Sequence, residues 1–167
     1  MNRSVVFLIL MSAVVFVGCN KRSNPAGGAE TPAVKLPWLT DLPKAEAQAM
    51  AEHKMIFLEF TGSDWCPACI EFKEEVASTP EFASYARTNL VLVEVDFPRR
   101  KALPEAMQQS NAGLVGKFKI AGATGDFPLP TFILLNGNGG ELGRWKGYAP
   151  GSDPKQFIQQ LDEAWKK

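Results

Sequence analysis

Two cysteines three positions apart, Cys66 and Cys69, separate a strand-like run from a helix-like one, and this constrains the fold more than any other feature. Before them stands Met55-Ile56-Phe57-Leu58, apolar at consecutive positions, as suits a central strand covered on both faces. After them Ile70-Glu71-Phe72-Lys73-Glu74-Glu75-Val76 reads as a helix. The local prediction is strand, short loop, then helix, with both sulfurs in the first helical turn. N–H groups in that turn lack internal partners and carry partial positive charge. A thiolate there is stabilised, so the Cys66 pKa is expected below the free value of about 8.5. Cys66, at the exposed N-terminal edge, is the expected nucleophile. Cys69, one turn further in, is the expected resolving thiol. Pro67 presets the helical φ and gives up an N–H that is unpaired in any case.

The pair could instead be half of a zinc site, or two buried cysteines. Zinc takes about four ligands, commonly Cys or His. Only Cys19 and His53 remain in the chain to supply them. The redox reading is the stronger one.

The string Trp65-Cys66-Pro67-Ala68-Cys69 resembles the Trp-Cys-x-x-Cys active site of the thioredoxin superfamily. The longer string from Phe60 to Cys66 resembles the bacterial, envelope-located branch of that superfamily. The central dipeptide is Pro-Ala, not the Gly-Pro of ordinary thioredoxins, so no redox potential is carried over. The resemblance implies an α/β fold, with a central mixed sheet flanked by helices on both faces, over residues 38–167. It implies that Glu59 matches the buried acid behind the second cysteine, although the loop here is one residue longer. A buried carboxyl has a raised pKa and can exchange protons near neutrality. It also implies that Leu129-Pro130-Thr131 is the cis-proline segment facing the cysteines. A cis X–Pro bond is accessible, at roughly 0.5–1 kcal/mol above trans. It would leave the Leu129 backbone free to pair with an extended substrate.

The N-terminus points to export. Residues 5–17 are apolar apart from Ser12, a run shorter than the ~20 residues of a spanning helix but suited to a signal-peptide core. Val15-Phe16-Val17-Gly18-Cys19 resembles a bacterial lipobox, with Phe16 where leucine is usual. That resemblance implies lipidation of Cys19 and a membrane anchor, with the outer membrane favoured by Asn20. The expected organisation is a signal peptide over 1–18, a lipidated cysteine and flexible tether over 19–37, and the domain over 38–167. The tether is rich in Gly, Pro, Ala and Ser and has little apolar surface to bury.

Within the domain, a helix is expected over 41–54, capped by Thr40 or Asp41. His53 at its end is expected on the surface. Strands are expected over 55–61, 90–95, 132–135 and 141–148. Helices are expected over 67–78, 80–87 and 103–120, the last broken near Asn111-Ala112-Gly113. The closing helix, 155–165, presents Phe157, Ile158, Leu161 and Trp165 on one face. Asn136-Gly137-Asn138-Gly139-Gly140 is a hairpin turn. Arg99-Arg100-Lys101 reads as a solvated basic cluster. The connection over 98–127 looks longer than in a minimal thioredoxin.

The 18 basic and 18 acidic residues of the 167 cancel, and no clustered basic surface suggests nucleic acid. The expected function is thiol–disulfide exchange in the bacterial envelope, in the reducing direction, through Cys66 and Cys69 with Glu59 assisting. Trp65, Pro67, Leu129 and Pro130 form the expected substrate lip. No metal or organic cofactor is required. Expected partners are protein disulfides, a membrane-bound thiol donor and, through the lipid, the membrane. The alternatives are a disulfide isomerase or oxidase, or a binding module without turnover.

Overall fold

The computed structural model describes residues 34–121 and 127–166. The expected signal peptide, Cys19 and most of the expected tether lie outside the described residues, as does the glycine-rich stretch 122–126. The element order is β1 (Trp38–Leu39), α1 (Leu42–Glu52), β2 (Met55–Thr61), α2 (Pro67–Phe72), α3 (Pro80–Asn89), β3 (Leu90–Asp96), α4 (Glu105–Lys117), β4 (Thr131–Leu135), β5 (Glu141–Lys146) and α5 (Pro154–Trp165). A π-helical turn, Lys73–Ala77, continues α2. The five strands form one sheet in the order β1-β3-β2-β4-β5. β2 runs parallel to β3 and antiparallel to β4. This is the mixed α/β architecture expected from the sequence.

Side-chain alternation divides β2 between two cores. Phe57 points to one face, into an aromatic cluster with Phe72, Phe82, Phe132 and Phe157. Ile56, Leu58 and Phe60 point to the other, against Ala45 and Ala49 of α1 and against Phe118 and Ile120. Glu59 shares the Phe57 face by the same period of two, and this puts a carboxyl underneath α2.

The helix starts follow local chemistry. Asp41 caps α1 by accepting the Lys44 N–H at 2.9 Å, with Pro43 in the first turn. His53 ends that helix in the left-handed region, φ 54°, and is exposed. Thr79 caps α3 and Asp153 caps α5. In the hairpin the Asn136 carboxamide accepts the N–H groups of Asn138 and Gly140.

Four expectations change. Helix α4 is continuous, with no break at residues 111–113; Asn111 is buried and donates to the Asp96 C=O at 2.8 Å, so it joins helix to sheet. In α5 the buried face is Phe157, Leu161 and Ala164, and Trp165 is 48% exposed. The last strand stops at Lys146, and Gly147 follows with φ 75°, which favours glycine. Finally, residues 34–37, assigned to the tether, belong to the packed unit. Leu36 is in the core, and Val34 donates its N–H to the Ser78 C=O at 3.0 Å.

Candidate active site

Cys66 occupies the N-cap of α2 with extended backbone, φ −89° and ψ 109°, and Pro67 follows at the first helical position. Its sulfur accepts the Cys69 N–H at 3.3 Å. Cys66 and Cys69 are joined as a disulfide, with Cα atoms 5.3 Å apart. The two sulfurs therefore sit on the first turn, as expected. The expected contrast in exposure is small in this oxidised form, in which Cys66 is 5% and Cys69 2% exposed. Pro67 is exposed beside them.

The loop before Cys66 is held from several sides. The Gly62 C=O accepts the N–H groups of Trp65 and Cys66. A Cβ at Gly62 would lie 2.6 Å from the Trp65 indole, so this position has room only for glycine while the ring stays in place. Trp65 Nε1–H donates to the Phe97 C=O at 2.7 Å. Ser63 donates its N–H and its hydroxyl to the Asp96 carboxylate, at 2.9 and 2.7 Å.

The Leu129–Pro130 peptide bond is cis. Thr131 lies opposite Phe60 in the sheet register, so Pro130 sits at the sheet end from which the active-site loop departs. Pro130 is buried, and its C=O accepts the Gly147 N–H at 2.7 Å. Leu129 is half-buried, and its backbone groups make no hydrogen bond among the described residues.

Glu59 is buried, 1% exposed, and opposite Glu94 in the β2–β3 register. Its Oε2 has no hydrogen-bond partner among the described residues. Burial, reinforced by the nearby Glu94, pushes the Glu59 carboxyl up to about 8. Lys73 opposes that shift from 3.9 Å, but its ammonium is closer to Glu94, at 3.0 Å, and lies 3.8 Å over the Trp38 ring. Desolvation therefore outweighs the ion pair. A cavity of about 150 Å³ is lined by Glu59, Cys69, Lys73 and Glu94 among others, so the carboxyl and the second cysteine share one small space.

Three supporting groups were not anticipated. Lys73 is four residues beyond Cys69, and helical spacing could have placed it on the cysteine's side of the helix. Asp64 accepts the backbone N–H groups of Arg99, Arg100 and Lys101 at 2.9, 2.8 and 3.2 Å, which keeps its carboxyl below the usual range. An Asp in a loop is a familiar acceptor of backbone N–H groups, but the partner segment, 35 residues on, carries no sequence signal. Third, the cluster 99–101 is not simply solvated. Lys101 pairs with Asp96 at 2.9 Å, and the Arg99 guanidinium stacks 3.5 Å over the Trp65 ring. Among the described residues, no group of three or more His, Cys, Asp or Glu could hold a metal ion.

Residues 42–165 match the family described as the thioredoxin-like domain. The chain belongs to the thioredoxin-like family. Within it, the disulfide bond reductase DsbH of Chlamydia pneumoniae is 34% identical over 115 residues, 69% of this chain and 64% of that protein. The thioredoxin-related protein DsbJ of the same organism is 31% identical over 99 residues, 59% of this chain and 27% of that protein. The matched stretch thus spans less than two thirds of either relative. A solved structure described as a DsbH oxidoreductase superposes with a TM-score of 0.69 at 31% identity, covering 86% of this chain and 93% of that one. For this thioredoxin-like chain, no helix among the described residues is long and apolar enough to cross a membrane.

Proposed function

We propose that this thioredoxin-like protein is a thiol–disulfide oxidoreductase that reduces protein disulfides in the bacterial envelope. The observation that carries the reading is the Cys66–Cys69 disulfide on the first turn of α2, with a buried, protonatable carboxyl behind its second sulfur. The cis Leu129–Pro130 bond at the same sheet end supports it, and so does the likeness to a protein described as a disulfide bond reductase.

In the working direction the reduced protein starts with two thiols. The Cys66 thiolate attacks one sulfur of a substrate disulfide, the substrate S–S bond breaks, and a substrate thiolate leaves and takes up a proton. Cys66 is then joined to substrate through a mixed disulfide. Cys69 loses its proton to Glu59 in its ionised form, the minority form below about pH 8, through the cavity they share, and attacks the Cys66 sulfur. The second substrate sulfur departs as a thiolate and takes up a proton, Glu59 gives up the one it received, and the Cys66–Cys69 disulfide closes. Two electrons have moved from protein to substrate, and a dithiol donor must return them. We assign that donor to the membrane by compartment. Trp65, Pro67 and Leu129 line the docking lip beside Pro130, and the Leu129 N–H and C=O pair with the substrate backbone. The apolar run ending at Gly18-Cys19 supports export and a lipid anchor on Cys19.

The test is reduction of a model protein disulfide with dithiothreitol as donor, with and without a chelator. The intact protein is expected to accelerate the reaction well above dithiothreitol alone, equally with chelator, and Cys66→Ser to abolish the acceleration. No acceleration by the intact protein would favour a binding module. Loss of activity with chelator would favour metal chemistry.

A further inference from the structure

Next to the redox pair, the segment Arg99-Arg100-Lys101 is anchored more firmly than a solvated basic run requires. The Asp64 carboxylate accepts all three of its backbone N–H groups, so the three cations are fixed to the loop that leads into Cys66. The Trp65 indole donates to the Phe97 C=O just before them, and the Arg99 guanidinium carbon sits over that indole, 3.5 Å from its centre. The hydrogen-bond acceptors of both nearby acids are engaged, though the Asp64 charge itself is not neutralised. Asp64 is engaged by backbone N–H groups; Asp96 takes the Ser63 N–H and hydroxyl and pairs with Lys101. The Lys101 charge is thereby balanced. Arg99 and Arg100 are exposed, and neither forms an ion pair among the described residues. Counting the Asp64 and Asp96 carboxylates against the three cations, the cluster keeps a net charge of +1, presented by exposed arginine side chains, with Arg99 over the tryptophan that precedes the nucleophile.

We propose that Arg99 and Arg100 are a docking rim that selects substrates carrying Asp or Glu beside the disulfide to be reduced. The proposal rests on the thiol–disulfide reading above and names its substrate class. A guanidinium presents a planar fork that matches a carboxylate bidentately, and stacking on Trp65 orients the Arg99 fork before the partner arrives. Charges at an interface rim act on encounter rate and are screened by salt. Lysine in place of Arg99 would keep the charge but not the planar stacked fork.

The test uses three matched disulfide-bonded peptides that differ only in the two residues flanking one cysteine: Asp, Ser or Lys. The second-order rate of oxidation of the reduced full-length protein is measured with each. At low salt the Asp peptide is expected to react about three to ten times faster than the Lys peptide, with the Ser peptide between, and the spread to shrink in ~0.5 M NaCl. Arg100→Glu, a substitution at an exposed side chain, is expected to collapse or invert the order, and Arg99→Lys to narrow it. Equal rates for the three peptides would overturn the rim while leaving the redox reading intact. So would a preference that Arg100→Glu and the double variant Arg99→Gln/Arg100→Gln both leave unchanged. Failure of all three peptides to oxidise the protein would overturn the redox reading and the rim with it.

Discussion

Glu59 combines two features that rarely coexist, complete burial and an Oε2 without a hydrogen-bond partner among the described residues. A carboxyl that holds its proton to about pH 8 when folded, and releases it near 4.5 when unfolded, ties stability to pH. Between those values the folded state binds more protons, so stability falls as pH rises from about 4.5 to about 8. Glu59→Gln removes this dependence. Relative to the native protein the variant is expected to gain stability across that window, by up to a few kcal/mol (order of magnitude) above pH 8, with no such gain below pH 4.5. Urea unfolding at several pH values measures it; parallel curves would contradict the assignment. The same substitution is expected to slow release of the mixed disulfide but not the first attack by Cys66, which single-turnover kinetics separates. Lys73 belongs to the same cluster. It holds the Glu59 carboxyl down against burial, so Lys73→Met is expected to move the pH dependence of the release step upward. An unchanged profile would mean that the two groups do not communicate.

At the scale of elements, β2 and α2 were legible because each is governed by its own residues. The apolar run 55–61 needs no partner to be read as a buried strand, and Cys66-Pro67 marks a helix start by local geometry alone. The cis Leu129–Pro130 bond was also anticipated, through the resemblance of its flanking residues to a known motif. What remained hidden depends on residues distant in sequence. The continuity of α4 through Gly113 follows from Asn111 reaching back to the Asp96 C=O, a contact between residues 15 apart. Helix propensity alone predicts a break at Asn111-Ala112-Gly113; the tertiary hydrogen bond overrides it. Asn111→Ala is therefore expected to destabilise the protein by about 1–3 kcal/mol, since it removes the donor to a buried carbonyl. A surface change on the same helix, Gln109→Ala, is expected to stay within about 0.5 kcal/mol. Comparable losses for the two in chemical denaturation would show that α4 is not held through Asn111. The fastening of residues 99–101 by Asp64 was hidden for the same reason.

For the molecule as a whole, composition placed a tether up to residue 37, but packing extends the folded unit to at least Val34. Leu36 fills the aromatic core face although proline follows it, and the Val34 N–H is tied to the end of the π-helical turn at Ser78. A chain beginning at Trp38 is expected to be less stable than one beginning at Val34 by about 2–3 kcal/mol, the scale of one buried leucine and one hydrogen bond. Equal denaturation midpoints and slopes would return those residues to the tether. In the proposed mechanism Cys66 attacks and Cys69 resolves, and trapping reads that order on the intact protein. Incubated with a disulfide-bonded protein and separated without reductant, Cys69→Ser is expected to accumulate a covalent adduct through Cys66 that dithiothreitol dissolves, while Cys66→Ser accumulates none. A protein that reduces disulfides, yet whose Cys69→Ser variant traps nothing or whose adduct maps to Cys69, would contradict the proposed order of attack.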